Sequence, residues 1–115
     1  MSKNSHSAET RLATYGTLAP GRINHDQLAD LNGTWVQATV RGNLIDAGWG
    51  AAHGCPGLVL DPAGQTIEVH VFESHDLPDF WEHMDRFEGP GYRRVTVTVQ
   101  AGGAHFDASI YVLNQ

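Results

Sequence analysis

The chain has 115 residues, 41% of them hydrophobic, with a formal net charge of −6 and a single cysteine. That length suits one domain able to bury a core without metal or disulfides, and one cysteine excludes an internal disulfide. The seven Lys and Arg are scattered, Arg93-Arg94 being the only adjacent pair, which argues against a binder of nucleic-acid backbone; no apolar run approaches the roughly 20 residues of a membrane span.

Residues 1–11, MSKNSHSAETR, are polar. They read as a disordered or loosely attached tail rather than a signal peptide, and with the lone Cys55 they set the expectation of a cytoplasmic protein. A single domain is expected over 12–115. Leu12 to Tyr15 is a short strand that runs into Gly16-Thr17-Leu18-Ala19-Pro20-Gly21, a tight loop. Asn24 and Gln27 have the spacing of a capping box. They open a predicted first helix, with Leu28 and Leu31 on its apolar edge and Asn32-Gly33 at its end.

From Trp35 to Leu44, Val36, Ala38 and Val40 alternate with Gln37, Thr39 and Arg41, the pattern of a half-buried strand. Residues 46–57 are rich in glycine and alanine and read as a long irregular loop. Leu58-Val59-Leu60 is a short strand, Asp61-Pro62-Ala63-Gly64 a turn, and Ile67, Val69 and Val71 mark the next strand; the two strands are expected to pair as a hairpin. Leu77, Phe80, Trp81, Met84 and Phe87 recur at helical spacing, which predicts a second helix over roughly 77–87 that buries Phe80, Trp81 and Met84. Pro78 is tolerated in its first turn, and Gly89-Pro90-Gly91 stops it. Val95, Val97 and Val99 alternate with Arg94, Thr96 and Thr98. Ala101 to Ala104 turns the chain, and Phe106, Ala108, Ile110 and Val112 complete a final hairpin. The sum is an α+β domain: about six strands, flanked by two helices, that can close into a small mixed β-barrel and so remove exposed edges.

Two features carry chemistry. Glu88 falls where the second helix ends, so its negative charge faces the negative end of the helix dipole; Lys, Arg or His would be favoured there by a few tenths of a kcal/mol. The loop 15–21, between a strand and a helix, offers consecutive backbone N–H groups that can cradle an anion. It lacks the Gly-Lys-Ser/Thr of a nucleotide-binding P-loop and the glycine fingerprint of a dinucleotide site. The bland alternatives are an ordinary turn for the loop and a solvated surface carboxylate for Glu88. The seven histidines show no metal-ligand spacing, so no metal or other cofactor is expected. Cys55 has no histidine partner near it in sequence. Arg93 or Arg94 could reach a substrate carboxylate, although a ladder position beside the sheet is the commoner use.

Tyr15-Gly16-Thr17-Leu18 with Gly21, then Met84-Asp85 followed by Glu88-Gly89, Tyr92 and Arg94, then Ala108 and Tyr111, resemble in order the motifs of the gamma-glutamylcyclotransferase-like, or AIG2-like, superfamily. The likeness runs from about residue 12 to 113. It implies a small closed β-barrel with flanking helices. By motif position it makes Glu88 the catalytic acid/base and Tyr15, Gly16, Thr17 and Leu18 the loop that holds a glutamyl or 5-oxoproline group, with Tyr111 beside the pocket. The implied reaction is attack of an α-amine on its own γ-carbonyl, releasing 5-oxoproline from a small γ-glutamyl amine or peptide. A non-catalytic module that binds a glutamyl-like anion on the same fold is the rival reading, and an accessory protein acting by contact is a third. The sequence departs from the family at Val69-His70, where Gly-Glu is usual, at Cys55, where an aromatic often precedes the proline, and at Met84, where leucine is usual.

Overall fold

A computed structural model describes residues 8–15, 28–45 and 57–114. These residues form six strands: β1 (Arg11–Thr14), β2 (Thr34–Ile45), β3 (Gly57–Leu60), β4 (Gln65–Glu73), β5 (Tyr92–Ala101) and β6 (Ala104–Leu113). A short 3₁₀ turn (Leu77–Asp79) leads into helix α1 (Trp81–Glu88). No helix among these residues is long and apolar enough to cross a membrane.

The sheet runs β3-β2-β4-β1-β6-β5, and a further pairing of Thr39 with Gln100 joins β2 to β5. Strands β2, β4, β1, β6 and β5 therefore close into a five-stranded barrel, with β3 as an extra strand. All pairings are antiparallel except β1 with β6, where Leu12 and Ala13 lie opposite Ser109 and Ile110.

Strand alternation divides the side chains between two layers. Ala13, Ala38, Val40, Ile67, Val69, Val71, Val99, Ala108, Ile110 and Val112 fill the barrel. Val and Ala on nearly every inward position suit the narrow lumen of so small a barrel. The opposite row, Leu12, Phe72 and Tyr111, joins Leu28, Leu77, Trp81 and Met84 in a second layer under α1. Val69 is 1% exposed inside the barrel, so the valine that departs from the family's usual glycine is core filling. Val36, near the start of β2, remains 44% exposed despite its place in the alternating pattern.

Three expectations change. Strand β3 does not form a hairpin with β4. Both pair with β2, β4 along residues 34–42 and β3 along 42–45, so that Gly42 lies opposite both Leu60 and Gln65. A 12-residue β2 is long enough to receive both, and a four-residue strand carries too little pattern to specify its neighbour. The 61–64 turn lies against β2 so closely that a Cβ on Gly64 would sit 2.7 Å from the Gly42 carbonyl oxygen. The second helix begins later than its periodicity suggests. Phe80 N–H bonds to Leu77 O at 2.8 Å, closing a 3₁₀ turn around Pro78, and the α register starts from Phe80 O with Met84 N–H at 3.1 Å. Phe80 is consequently half-buried at the rim, against His83, whereas Leu77, Trp81 and Met84 are buried. Residues 24–27 of the expected first helix lie outside the described residues; Leu28 to Leu31 closes a single turn through Leu31 N–H to Leu28 O.

The end of the expected tail is tied to the body. Ser109 Oγ donates to Ala8 O (2.6 Å), Trp81 Nε1 to Glu9 O (3.0 Å) and Ser74 N–H to Thr10 O (2.8 Å). Residues 1–7 lie outside the described part.

Truncating Met84, fully buried, to Ala is expected to cost about 2–5 kcal/mol. Phe80→Ala should cost less, because part of its ring already faces solvent. Urea denaturation of both variants measures the order; a Phe80 effect larger than that of Met84 contradicts this packing.

Candidate active site

Helix α1 ends at Glu88, and Gly89 follows with φ of 82°, a left-handed conformation that a side chain would strain. Gly89 N–H closes the helix onto Asp85 O at 3.1 Å, and Gly89 O receives Tyr92 N–H at the start of β5. This turn swings the chain back onto the barrel and holds Glu88 inward. The carboxylate residue is 8% exposed, so the solvated-surface alternative is excluded. Burial pushes its pKa up to about 7. The direction agrees with the helix-end argument, but desolvation is the cause.

Tyr15 follows β1 directly. Its hydroxyl donates to Tyr111 O at 2.7 Å and accepts Leu58 N–H at 3.1 Å. One phenol thus joins β6 to β3 at the point where β1 delivers the chain into the predicted anion-binding loop. Burial raises its pKa, and the charge of Glu88 raises it further. Tyr111 is also raised, first by burial, with the charge of Glu88 among the smaller contributions. Glu88 therefore lies within electrostatic reach of both tyrosines, and both remain protonated donors near neutral pH. Gly16, Thr17 and Leu18 lie outside the described residues.

Tyr111 is 5% exposed and directs its hydroxyl toward α1, donating to Asp85 Oδ1 at 2.6 Å. Asp85 also accepts a two-pronged contact from Arg94, Nε to Oδ1 at 2.9 Å and Nη2 to Oδ2 at 3.2 Å. Arg94 in turn stacks over Trp81, its Cζ 4.5 Å from the ring centre. The Arg94 hydrogen bonds hold the Asp85 carboxyl below its ordinary pKa. Asp85 and Glu88, three residues apart on one helix, thus have opposite tendencies: one stays ionised against an arginine, the other is pushed toward neutrality by burial. Arg94 is engaged in this clamp. Sequence reasoning passed over Asp85, although the i, i+3 spacing to Glu88 places the two on adjacent positions of one face.

A family model described as "Gamma-glutamyl cyclotransferase, AIG2-like" matches residues 12–115. The gamma-L-glutamyl-butirosin B gamma-glutamyl cyclotransferase of Niallia circulans is 30% identical over 113 residues, which cover 90% of this chain and 67% of that protein. The crystal structure of YkqA from Bacillus subtilis is 30% identical with a TM-score of 0.70; the match takes in 91% of this chain and 36% of YkqA. An AIG2-like protein from Mus musculus shares the fold at a TM-score of 0.72 and 23% identity, over 91% of this chain and 77% of that one.

The raised pKa of Glu88 has a thermodynamic consequence. Between the ordinary value of 4.5 and about 7 the folded state binds more protons than the unfolded state. Stability therefore falls as pH rises through that window, by an amount on the order of 3 kcal/mol. Glu88→Gln, which cannot ionise, is expected to match wild type at pH 5 and to melt higher at pH 8. Thermal melts across pH 5–8 test this; parallel curves would mean that Glu88 does not titrate in the window. Tyr15→Phe leaves Leu58 N–H and Tyr111 O without the phenol oxygen and should lower stability by about 1–3 kcal/mol in urea.

Proposed function

The chain belongs to the gamma-glutamyl cyclotransferase, AIG2-like family, and we propose that it releases 5-oxoproline from a small γ-glutamyl amine or peptide, with Glu88 as the acid/base. The observation that carries this reading is the burial of Glu88, which brings its pKa to about 7, within electrostatic reach of the tyrosine that opens the loop. A carboxylate poised near neutrality can both accept and return a proton at physiological pH. A site built only to bind an anionic glutamyl group would gain nothing from such a carboxylate.

In this reading the glutamyl group is held by backbone N–H groups of the 15–18 segment, folded so that its α-amine faces its own γ-carbonyl. The α-nitrogen forms a bond to the γ-carbon, and the bond from that carbon to the departing nitrogen breaks. The α-ammonium gives up two protons and the departing amine gains two; Glu88 passes them across. Closing a five-membered ring already benefits from proximity, with effective molarities on the order of 10⁵ M in favourable cases. N–H groups of the loop stabilise the oxyanion that develops on the carbonyl. Tyr15 bears on the substrate, and Tyr111 positions Tyr15 through its main-chain carbonyl while its hydroxyl braces Asp85.

Glu88→Gln keeps the size and hydrogen-bonding shape of the side chain but removes the titrating proton. Turnover, read as 5-oxoproline by mass spectrometry over a panel of γ-glutamyl compounds, should fall about 10²–10⁴-fold while 5-oxoproline binding survives. In wild type kcat/KM should rise with pH to a plateau above about 7, as Glu88 loses its proton, and the variant should lack that inflection. If wild type binds 5-oxoproline or glutamate but turns over no compound of the panel, the protein is a binding module.

A further inference from the structure

The valines of β5 show an interruption. Val95, Val97 and Val99 lie opposite Ile110, Ala108 and Phe106. Val99, Ala108 and Ile110 are buried inside the barrel, with Val95, Val97 and Phe106 packed against them. Two residues before Val95 on the same face is Arg93, opposite the buried Val112. The row that fills the barrel therefore begins with an arginine where an apolar residue would continue the pattern.

Arg93, exposed near the start of β5, is also unengaged among the described residues. Arg11 pairs with Glu73, Arg41 bonds to Thr66, Arg86 pairs with Glu82, and Arg94 grips Asp85. Among the described residues Arg93 has no hydrogen-bond or ion-pair partner. It lines a groove of about 230 Å³ together with Val59, Leu60, Val95, Thr96, Val112 and Leu113. The groove adjoins the proposed site on two sides. Leu58, which precedes Val59, donates to the Tyr15 hydroxyl, and Tyr111, which precedes Val112, accepts from it. The volume is below that of sites for drug-sized ligands, so it suits one part of a substrate.

We propose that this groove receives the departing amine of the γ-glutamyl substrate and that Arg93 selects amines carrying a carboxylate on an apolar body. The assignment rests on the cyclotransferase reading above. The aliphatic side chains of Val59, Leu60, Val95, Val112 and Leu113 take the body, and the exposed Arg93 guanidinium, unpaired among the described residues, takes the carboxylate in a charge-assisted, two-pronged contact. The contact is remote from the reacting atoms and is the same before and during ring closure. It therefore lowers KM and leaves kcat alone.

The test compares γ-glutamyl-leucine with γ-glutamyl-(3-methylbutyl)amine, which has the same apolar body without the carboxylate. Wild type should favour the leucine compound in kcat/KM by about 10- to 100-fold. Arg93→Met should abolish the preference by raising KM for the leucine compound only, and Arg93→Lys should restore part of it. Both compounds are also titrated calorimetrically into Glu88→Gln and into Glu88→Gln/Arg93→Met. Equal turnover of the two compounds by wild type, or a preference that survives Arg93→Met, overturns the role of Arg93 and leaves the cyclotransferase reading standing. No turnover by wild type, with a calorimetric preference that Arg93→Met removes, overturns the reaction and leaves Arg93 as the carboxylate-recognising residue. No turnover and no calorimetric preference overturns both.

Discussion

Everything at the candidate site depends on the four residues of β1. The strand is the seam of the barrel, antiparallel to β4 on one side and parallel to β6 on the other. Its alternation commits Ala13 to the lumen and Leu12 to the layer under α1, so one short strand anchors both hydrophobic clusters. The parallel contact with β6 then carries Tyr15 to the end of the barrel where its hydroxyl meets Tyr111 O and Leu58 N–H. A parallel pair cannot be joined by a tight turn; here nearly the whole chain intervenes between β1 and β6, and Tyr15 is brought beside Tyr111, 96 positions away.

The layer under α1 has an electrostatic as well as a packing role. Trp81 and Met84 seat the helix on the sheet, and Arg94 reaches from β5 across Trp81 to grip Asp85. Tyr111 adds a short hydrogen bond to the same carboxylate. With Asp85 so fixed, the last turn of the helix is held, and Glu88, the final residue of that turn, is directed inward. Asp85 has its compensating cation, so its charge is retained. Burial drives Glu88 the other way. The pairing of an ionised support with a near-neutral neighbour is a familiar way to place one proton carrier in a site at neutral pH.

The same division by strand face explains why the adjacent arginines differ. Arg94 is on the outer face of β5, where α1 supplies an acidic partner; Arg93 is on the inner face, where the barrel supplies valines. Side chains one residue apart on a strand enter different environments, and a doublet that looks like one basic spot in the sequence is divided between structural bracing and an open groove.

Much of this was legible in the residues themselves. Alternation in 35–44, 95–99 and 106–112 marks real strands, because a half-buried sheet imposes a period of two on the sequence. The stripe from Leu77 to Met84 marks the face buried beneath the sheet. The motifs around Tyr15 and Glu88 point to one family, whose fold the barrel shares. Local pattern could not assign β3 to β2 instead of β4, since four residues specify no partner. Nor could it place Phe80 at the rim, since a 3₁₀ turn shifts the helical phase. It raised the electrostatic oddity of Glu88 but not the dominant cause of the raised pKa, which is desolvation by burial in the folded chain. The sequence by itself determined which residues alternate, which terminate and which motifs occur, because those depend on neighbours along the backbone. Only the tertiary structure decided which strands meet, which carboxylate is ionised and which arginine is left open, because each depends on groups that closure of the barrel brings together from opposite ends of the chain.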